Sequence, residues 1–165
     1  MRTHTTVESP IGELTLVNEA GVLCGLFLAG QRNSPRPARL GQRVADGFEQ
    51  AVAQLTEYFA GERTEFSIPT AAHGDEFQHR VWSLVKQIPF GETRTYGELA
   101  HELGDPSLAR AVGGANAANP LCIVVPCHRV VGSGGALTGY AGGLARKRYL
   151  LDLERPVAQR AATLF

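Results

Sequence analysis

The chain has 165 residues, 44% hydrophobic and 19% charged, and its 16 basic side chains balance 16 acidic ones. That describes one or two small globular domains, and it excludes both a disordered chain and a protein that grips nucleic acid through a uniformly positive surface. No apolar run reaches the roughly 18 residues of a membrane span, MRTHTTVESP lacks a signal peptide's apolar stretch, and Cys24, Cys122 and Cys127 make no disulfide framework, so a soluble cytoplasmic protein with reduced thiols is expected.

The first third reads as β-structure. In THTTVESPIGELTLVNEAGVLCGLFLAG, turn residues at Ser9 to Gly12 and Asn18 to Gly21 separate three runs of β-branched and apolar residues, which predicts three antiparallel strands. QRNSPRPARLGQR, residues 31–43, with two prolines and four arginines, is expected to be a mobile loop. In VADGFEQAVAQLTEYFAGE, Val44, Phe48, Val52, Leu55 and Phe59 recur at helical spacing, predicting an amphipathic helix stopped by Gly61. FSIPTAAHG predicts a short strand and a linker, hence one domain over residues 1–72 and a second over 73–165.

DEFQHRVWSLVKQIPFG predicts a helix burying Phe77, Val81, Leu84, Val85 and Ile88, closed by Pro89 and Gly91. TYGELAHELG predicts a shorter helix with Tyr96, Leu99, Ala100 and Leu103 inward. In DPSLARAVGGANAANP, Asp105 suits an N-cap and Pro106 the first helical position. Helix, turn and helix form a helix-turn-helix pattern, one that many helical hairpins share. The second helix is nearly all small residues, with only Arg110 and Asn116 in its middle able to reach a base. A slim helix suits close backbone approach to DNA, and it equally suits a tightly packed interior.

The chemistry centres on VVPCHRVV, residues 124–131, where a thiol, an imidazole and a guanidinium follow one another at the end of what reads as a buried strand. Free cysteine is among the most buried residue types, so a core role for Cys127 stands beside a functional one. Neighbouring side chains on a strand point apart. Cys127 and His128 therefore cooperate only through a water relay, or if the chain makes a helical turn there. For Arg129 a structural ion pair is preferred over a phosphate contact. Three other readings compete: a gene regulator with a structural cysteine, a cysteine hydrolase, and a metal site of Cys122, Cys127 and His128 that lacks a fourth ligand.

Three segments together resemble the O6-alkylguanine-DNA alkyltransferases: PFGETRTYGELA (89–100), RAVGGANAANPLCIVVPCHRVV (110–131) and TGYAGGLARKRYLLDLE (138–154). Residues 1–70 resemble that family's N-terminal domain only in architecture. The resemblance implies an α/β (α+β) fold, with a small ribonuclease-H-like domain of sheet and helix followed by a winged-helix-like domain that carries the helix-turn-helix and the site. It implies direct-reversal DNA repair, in which an alkyl group passes irreversibly from O6-alkylguanine, with O4-alkylthymine a further candidate, to Cys127, once per molecule and after base flipping.

The same resemblance makes His128 the base acting through a water, Glu154 the acid that holds it, Tyr96 the donor to the flipped guanine, and Asn119 the brace of the turn before the site. Arg110 becomes the finger that fills the gap in the base stack, with Ala109, Ala111 and Gly113 beside it on the DNA-facing helix. Tyr140, Ala141 and Asn116 line the base pocket. Asn116 stands where the family can carry an apolar side chain, which implies a more polar pocket. No cofactor and no metal are expected, since residues 1–70 offer only Cys24 and His4 where some members bind zinc. The implied partner is double-stranded DNA bound with little sequence preference, by a monomer and with no membrane.

Overall fold

The computed structural model describes residues 1–156; the expected second domain's positions 157–165 lie outside the described residues. β1 (Arg2–Val7), β2 (Leu14–Glu19) and β3 (Val22–Leu28) form the expected antiparallel meander, paired from Arg2↔Glu19 to Val7↔Leu14 and from Leu14↔Leu28 to Glu19↔Val22. Alternation along the strands sends Leu14, Leu16, Leu26 and Leu28 into the main core. Val17, Cys24 and Phe27 go to the opposite face, where Leu40 covers them.

That cover corrects the reading of residues 31–43 as a plain loop. The segment carries a 3-10 turn at Pro37–Arg39 and then β4 (Gln42–Arg43), which runs parallel to β1 and gives the sheet order β3-β2-β1-β4. The strand was illegible because its two residues are exposed and show no alternation.

α1 spans Glu49–Phe59, starting later than the apolar spacing from Val44 suggested. Gly47 sits at φ 98, outside the helical path, with its N–H on the Glu49 carboxylate at 3.0 Å. Val44 belongs to the sheet instead, donating its N–H to His4 O at 2.9 Å. The strand expected in FSIPTAAHG reduces to one bridge, Thr70 to Leu23; Pro69 has no N–H to extend it.

α2 (Glu76–Lys86) opens on a capping box. Gln78 N donates to Asp75 Oδ1 at 2.8 Å, and Asp75 N donates to Gln78 Oε1 at 2.9 Å, a cap worth about 1 kcal/mol. After β5 (Arg94–Thr95), Thr95 and Glu98 form a second capping box that starts α3 (Tyr96–Glu102). Asp105 caps the 3-10 turn Pro106–Leu108, which leads into α4 (Ala109–Ala117). The buried Trp82 donates its indole N–H to Ala115 O at 2.8 Å, locking α2 to α4. β6 (Val130–Val131) pairs parallel to β5, and α5 (Leu144–Glu154) closes the described chain. One apolar core runs unbroken from Leu14 and Leu55 through Val81, Val85 and Leu99 to Leu121 and Leu150.

Candidate active site

The stretch before Cys127 is not a strand. Leu121 and Cys122 make single bridges, and the chain then turns sharply, with Ile123 in the left-handed region at φ 74. A β-branched residue is strained there and needs its surroundings to hold it. Asn119 supplies the hold: its Nδ2 donates to Val125 O at 2.9 Å, and its Oδ1 accepts Leu121 N–H at 3.0 Å.

Pro126, at φ −78 and ψ 65, is the centre of an inverse γ-turn closed by Cys127 N–H on Val125 O at 2.7 Å. The proline ring fixes φ in advance. Cys127–Arg129 then form a 3-10 turn. Its three residues per turn fan the thiol, imidazole and guanidinium roughly 120° apart, instead of on opposite faces. This is the helical-turn alternative to the strand reading.

The imidazole and guanidinium converge on one carboxylate. His128 Nε2 lies 2.7 Å from Glu154 Oε2, and Arg129 reaches Oε1 through Nε at 2.8 Å and Oε2 through Nη2 at 2.9 Å. Tyr58, from α1, donates its hydroxyl to Oε2 at 2.6 Å. Arg129 also ties down Ile88 O at 2.7 Å, so it is a structural ion pair. Burial alone would raise the Glu154 carboxyl, but His128 and Arg129 together outweigh it and hold it down to about 2. Burial is also the largest influence on His128 and pushes its pKa below the ordinary value in spite of Glu154. The imidazole is therefore neutral near pH 7, and the lasting counter-charge to Glu154 is Arg129. Facing an ionised carboxylate, Nε2 carries the His128 proton, which leaves Nδ1 a buried lone pair with no protein partner among the described residues.

Cys127 is 3% exposed. The neighbouring Cys122 thiol is the largest influence on it and stabilises the thiolate. Burial opposes this, while Asn119 and the Lys147 charge add to the lowering, and the net pKa lies below the ordinary value. Cys122 moves the other way for the same reason and stays a thiol; its Sγ also lies 3.4 Å from Gln31 Oε1. Lys147 is fully buried on α5, with Nζ on Val130 O at 2.6 Å and Thr138 O at 2.7 Å; burial brings it down to about 8. The Tyr140 hydroxyl is buried beside the two cysteines and has no partner within hydrogen-bond geometry among the described residues. Gly142 lets this loop close down, since a Cβ there would lie 2.3 Å from Leu28 Cδ1. Ala141 O accepts Arg32 N–H at 3.4 Å.

Tyr96, half-buried at the start of α3, donates its hydroxyl to Thr138 O at 3.1 Å. α4 buries Val112, Ala115 and Asn116 and exposes Arg110, Ala111, Gly114 and Ala117, with Ala109 and Gly113 intermediate. The exposed strip is thus the slim one, and Arg110 is its one long side chain. Packing does not require small residues on an exposed face, so the tightly packed reading of this helix does not explain them.

The structure gathers Cys127, His128, Glu154, Asn119, Asn116 and Tyr140 at one centre, with Tyr96 and Ala141 at its edge and Arg110 outside it on α4. Asn116 corrects one expectation. It cannot reach DNA from the helix surface, being 2% exposed with Nδ2 on Cys127 O at 3.1 Å. Its Oδ1 is buried without a partner among the described residues. Sequence reasoning missed Tyr58, Lys147 and Gln31. Tyr58 lies 96 positions from Glu154, and no local pattern marks it; Lys147 sits in a basic run that reads as a solvated face.

A buried thiolate-prone cysteine, a neutral imidazole oriented by a carboxylate, and a slim exposed helix define a cysteine-nucleophile protein built beside a DNA-binding element. Residues 3–72 match the family described as 6-O-methylguanine DNA methyltransferase, ribonuclease-like domain, and residues 76–156 match 6-O-methylguanine DNA methyltransferase, DNA binding domain. The chain belongs to the 6-O-methylguanine DNA methyltransferase family.

The methylated-DNA–protein-cysteine methyltransferase of Mycolicibacterium paratuberculosis is 52% identical over 163 residues, 98% of each chain. The constitutive one of Bacillus subtilis is 42% identical, over 94% of this chain and 96% of the relative. The crystal structure of Mycobacterium tuberculosis OGT in complex with DNA superposes with a TM-score of 0.85 at 48% identity, covering 96% of this chain and 98% of that one. The expected α/β fold, ribonuclease-like then DNA-binding, is the fold observed.

Proposed function

We propose that the protein repairs double-stranded DNA by direct reversal, moving an alkyl group from O6 of guanine to Cys127, with O4-alkylthymine a secondary substrate. The observation that carries this reading is the Cys127 turn itself, a buried thiol favoured as thiolate with the neutral His128–Glu154 pair one residue away.

The steps balance. The thiol proton passes through a water to His128 Nδ1, and the thiolate attacks the alkyl carbon. A sulfur–carbon bond forms as the carbon–O6 bond breaks, and the electron pair leaves with the guanine. Tyr96 donates a hydrogen bond to that developing anion, Glu154 stabilises the imidazolium, and the proton held on Nδ1 passes back through water to N1 of the guanine anion, leaving guanine and His128 both neutral. Tyr140, Ala141 and Asn116 line the pocket, where Asn116 Oδ1 and the Tyr140 hydroxyl have no partner among the described residues. The target base must first leave the stack, at a cost of a few kcal/mol. Arg110 fills the gap, flat and cationic, as Ala109, Ala111 and Gly113 let the α4 backbone approach the groove. Contacts of this kind read little sequence. The protein acts as a cytoplasmic monomer, its two domains meeting near residue 72.

The product is a thioether, with no carbonyl for water to attack, so each molecule acts once. Added bulk in the Asn119-braced turn overpacks it, costing about 1–3 kcal/mol, so the spent protein is the less stable form. Incubation with an oligonucleotide containing O6-methylguanine in excess, followed by intact mass and a peptide map, tests the reading. One alkyl group per molecule, on Cys127, is expected. Steady turnover, or an adduct on Cys24 or Cys122, would overturn it.

A further inference from the structure

We infer that Tyr58 is a positioning residue for this reaction: its hydroxyl shares the Glu154 oxygen that orients His128, and so sets how strong a base that imidazole is. The inference rests on the functional reading above and adds a residue from the N-terminal half to the site.

Glu154 Oε2 takes three donors, Tyr58 Oη at 2.6 Å, His128 Nε2 at 2.7 Å and Arg129 Nη2 at 2.9 Å. Hydrogen bonds to an ionised acceptor are about twice as strong as neutral ones, and donors on one oxygen divide its charge. Each makes that oxygen a weaker acceptor for the other two. Tyr58 therefore weakens the pull of Glu154 on the His128 N–H and keeps the imidazolium from being over-stabilised.

Packing does not account for the hydroxyl. The Tyr58 ring is fully buried among Phe59, Phe66 and Phe90, with centroids at 5.4, 5.5 and 6.3 Å. A phenylalanine would fill that aromatic cluster, yet the position carries a hydroxyl aimed at the carboxylate. Burial first, and Glu154 second, hold the phenol far above its ordinary pKa, so it remains a donor at every working pH. Of the groups around the carboxylate, Arg129 comes from the Cys127 turn, Lys147 bears on His128 from α5, and Tyr149 bears on Tyr58. Tyr58 is a donor to Oε2 that lies outside the Cys127 turn and can be altered without altering either His128 or the Arg129–Glu154 ion pair.

The test compares wild type, Tyr58→Phe and the full-length protein carrying 3-fluorotyrosine at position 58, a stronger donor of nearly the same shape. Transfer from free O6-benzylguanine is followed against pH and normalised to the active fraction. In Tyr58→Phe the acid limb of the rate should move up by roughly half to one pH unit, slowing transfer about three- to tenfold below the limb and no more than slightly above it. With 3-fluorotyrosine the limb should move down. A merely structural tyrosine would change the active fraction and leave the three limbs coincident, and that outcome overturns the inference. If wild type fails to alkylate Cys127 at any pH, the functional reading falls instead. The same comparison is then made on the His128 ring 15N titration, where the same ordered displacement is expected and coincident titrations overturn the inference.

Discussion

Arg129 and Glu154 form a two-point ion pair, Nε to Oε1 at 2.8 Å and Nη2 to Oε2 at 2.9 Å, with the Glu154 side chain 1% and the Arg129 side chain 8% exposed. Removing one partner of such a pair leaves the other charge buried and uncompensated, which costs about 3–5 kcal/mol. Glu154→Gln should destabilise the fold by that amount in urea unfolding. It should also slow transfer by about 100-fold or more, because the base loses its orientation. Unchanged stability would mean that Arg129 finds another acceptor.

The same carboxylate makes stability depend on acid. Its folded pKa of about 2 lies below the ordinary 4.5, so the folded state binds this proton less readily than the unfolded chain. The stabilisation is fully present above the unfolded value and is lost as pH falls through 4.5 towards 2. Its size is about 3 kcal/mol. Thermal unfolding of wild type should fall steeply across that window, whereas Glu154→Gln should fall less steeply.

Lys147→Gln keeps a donor for Val130 O and Thr138 O and removes a charge that favours the Cys127 thiolate. Alkylation of Cys127 by iodoacetamide should be several-fold slower in the variant near pH 7. Lys147 itself discharges above about 8, so the gap between the two proteins should narrow as pH rises past that point. A constant ratio across pH would remove Lys147 from the electrostatics of the thiol.

Arg110→Ala should lower repair in duplex DNA about tenfold or more, since the gap left by an extruded base costs a few kcal/mol. Reaction with free O6-benzylguanine should be unaffected. Arg110 is exposed on α4, so equal losses on both substrates would defeat its role as a finger.

Asn119→Ala removes both bonds that hold the turn around Ile123, to Val125 O and Leu121 N. Leu121 N–H is left buried and unpaired, at about 1–3 kcal/mol, while Val125 O keeps the Cys127 N–H alone. The variant should unfold at lower urea, and its Cys127 should react more slowly because the thiolate loses an Asn119 contact.

Much of this was open to reading in the one-dimensional chain. Val81, Val85, Leu99 and Ala100 declare their helices by spacing, because burial on one side of a 3.6-residue turn leaves a periodic mark. Asp105 with Pro106 announces a helical start, since capping is settled by neighbours a few positions apart. PCHRV, with RAVGGA upstream at residues 110–115, points to the chemistry through its family resemblance, which survives in the chain because the γ-turn, the 3-10 turn and the nucleophile all lie within a few residues of one another.

Other features had no local signature. A run of valines flanking Pro126 reads the same whether it makes a strand or a turn held by Asn119. Glu154 gathers Tyr58 from 96 positions away and His128 from 26, and no periodicity spans such distances. Lys147 looks like a solvated lysine until α5 docks and buries it beneath Val130 and Thr138. The helices and the antiparallel meander were legible in the chain because propensity and capping are short-range, and the family resemblance of the motifs singled out Cys127. The direction in which the thiol's pKa moves, and which nitrogen of its histidine carries the proton, come from the fold, because the first depends on burial and on Cys122, Asn119 and Lys147 gathered around the thiol and the second on a carboxylate 26 positions away that lies 2.7 Å from Nε2.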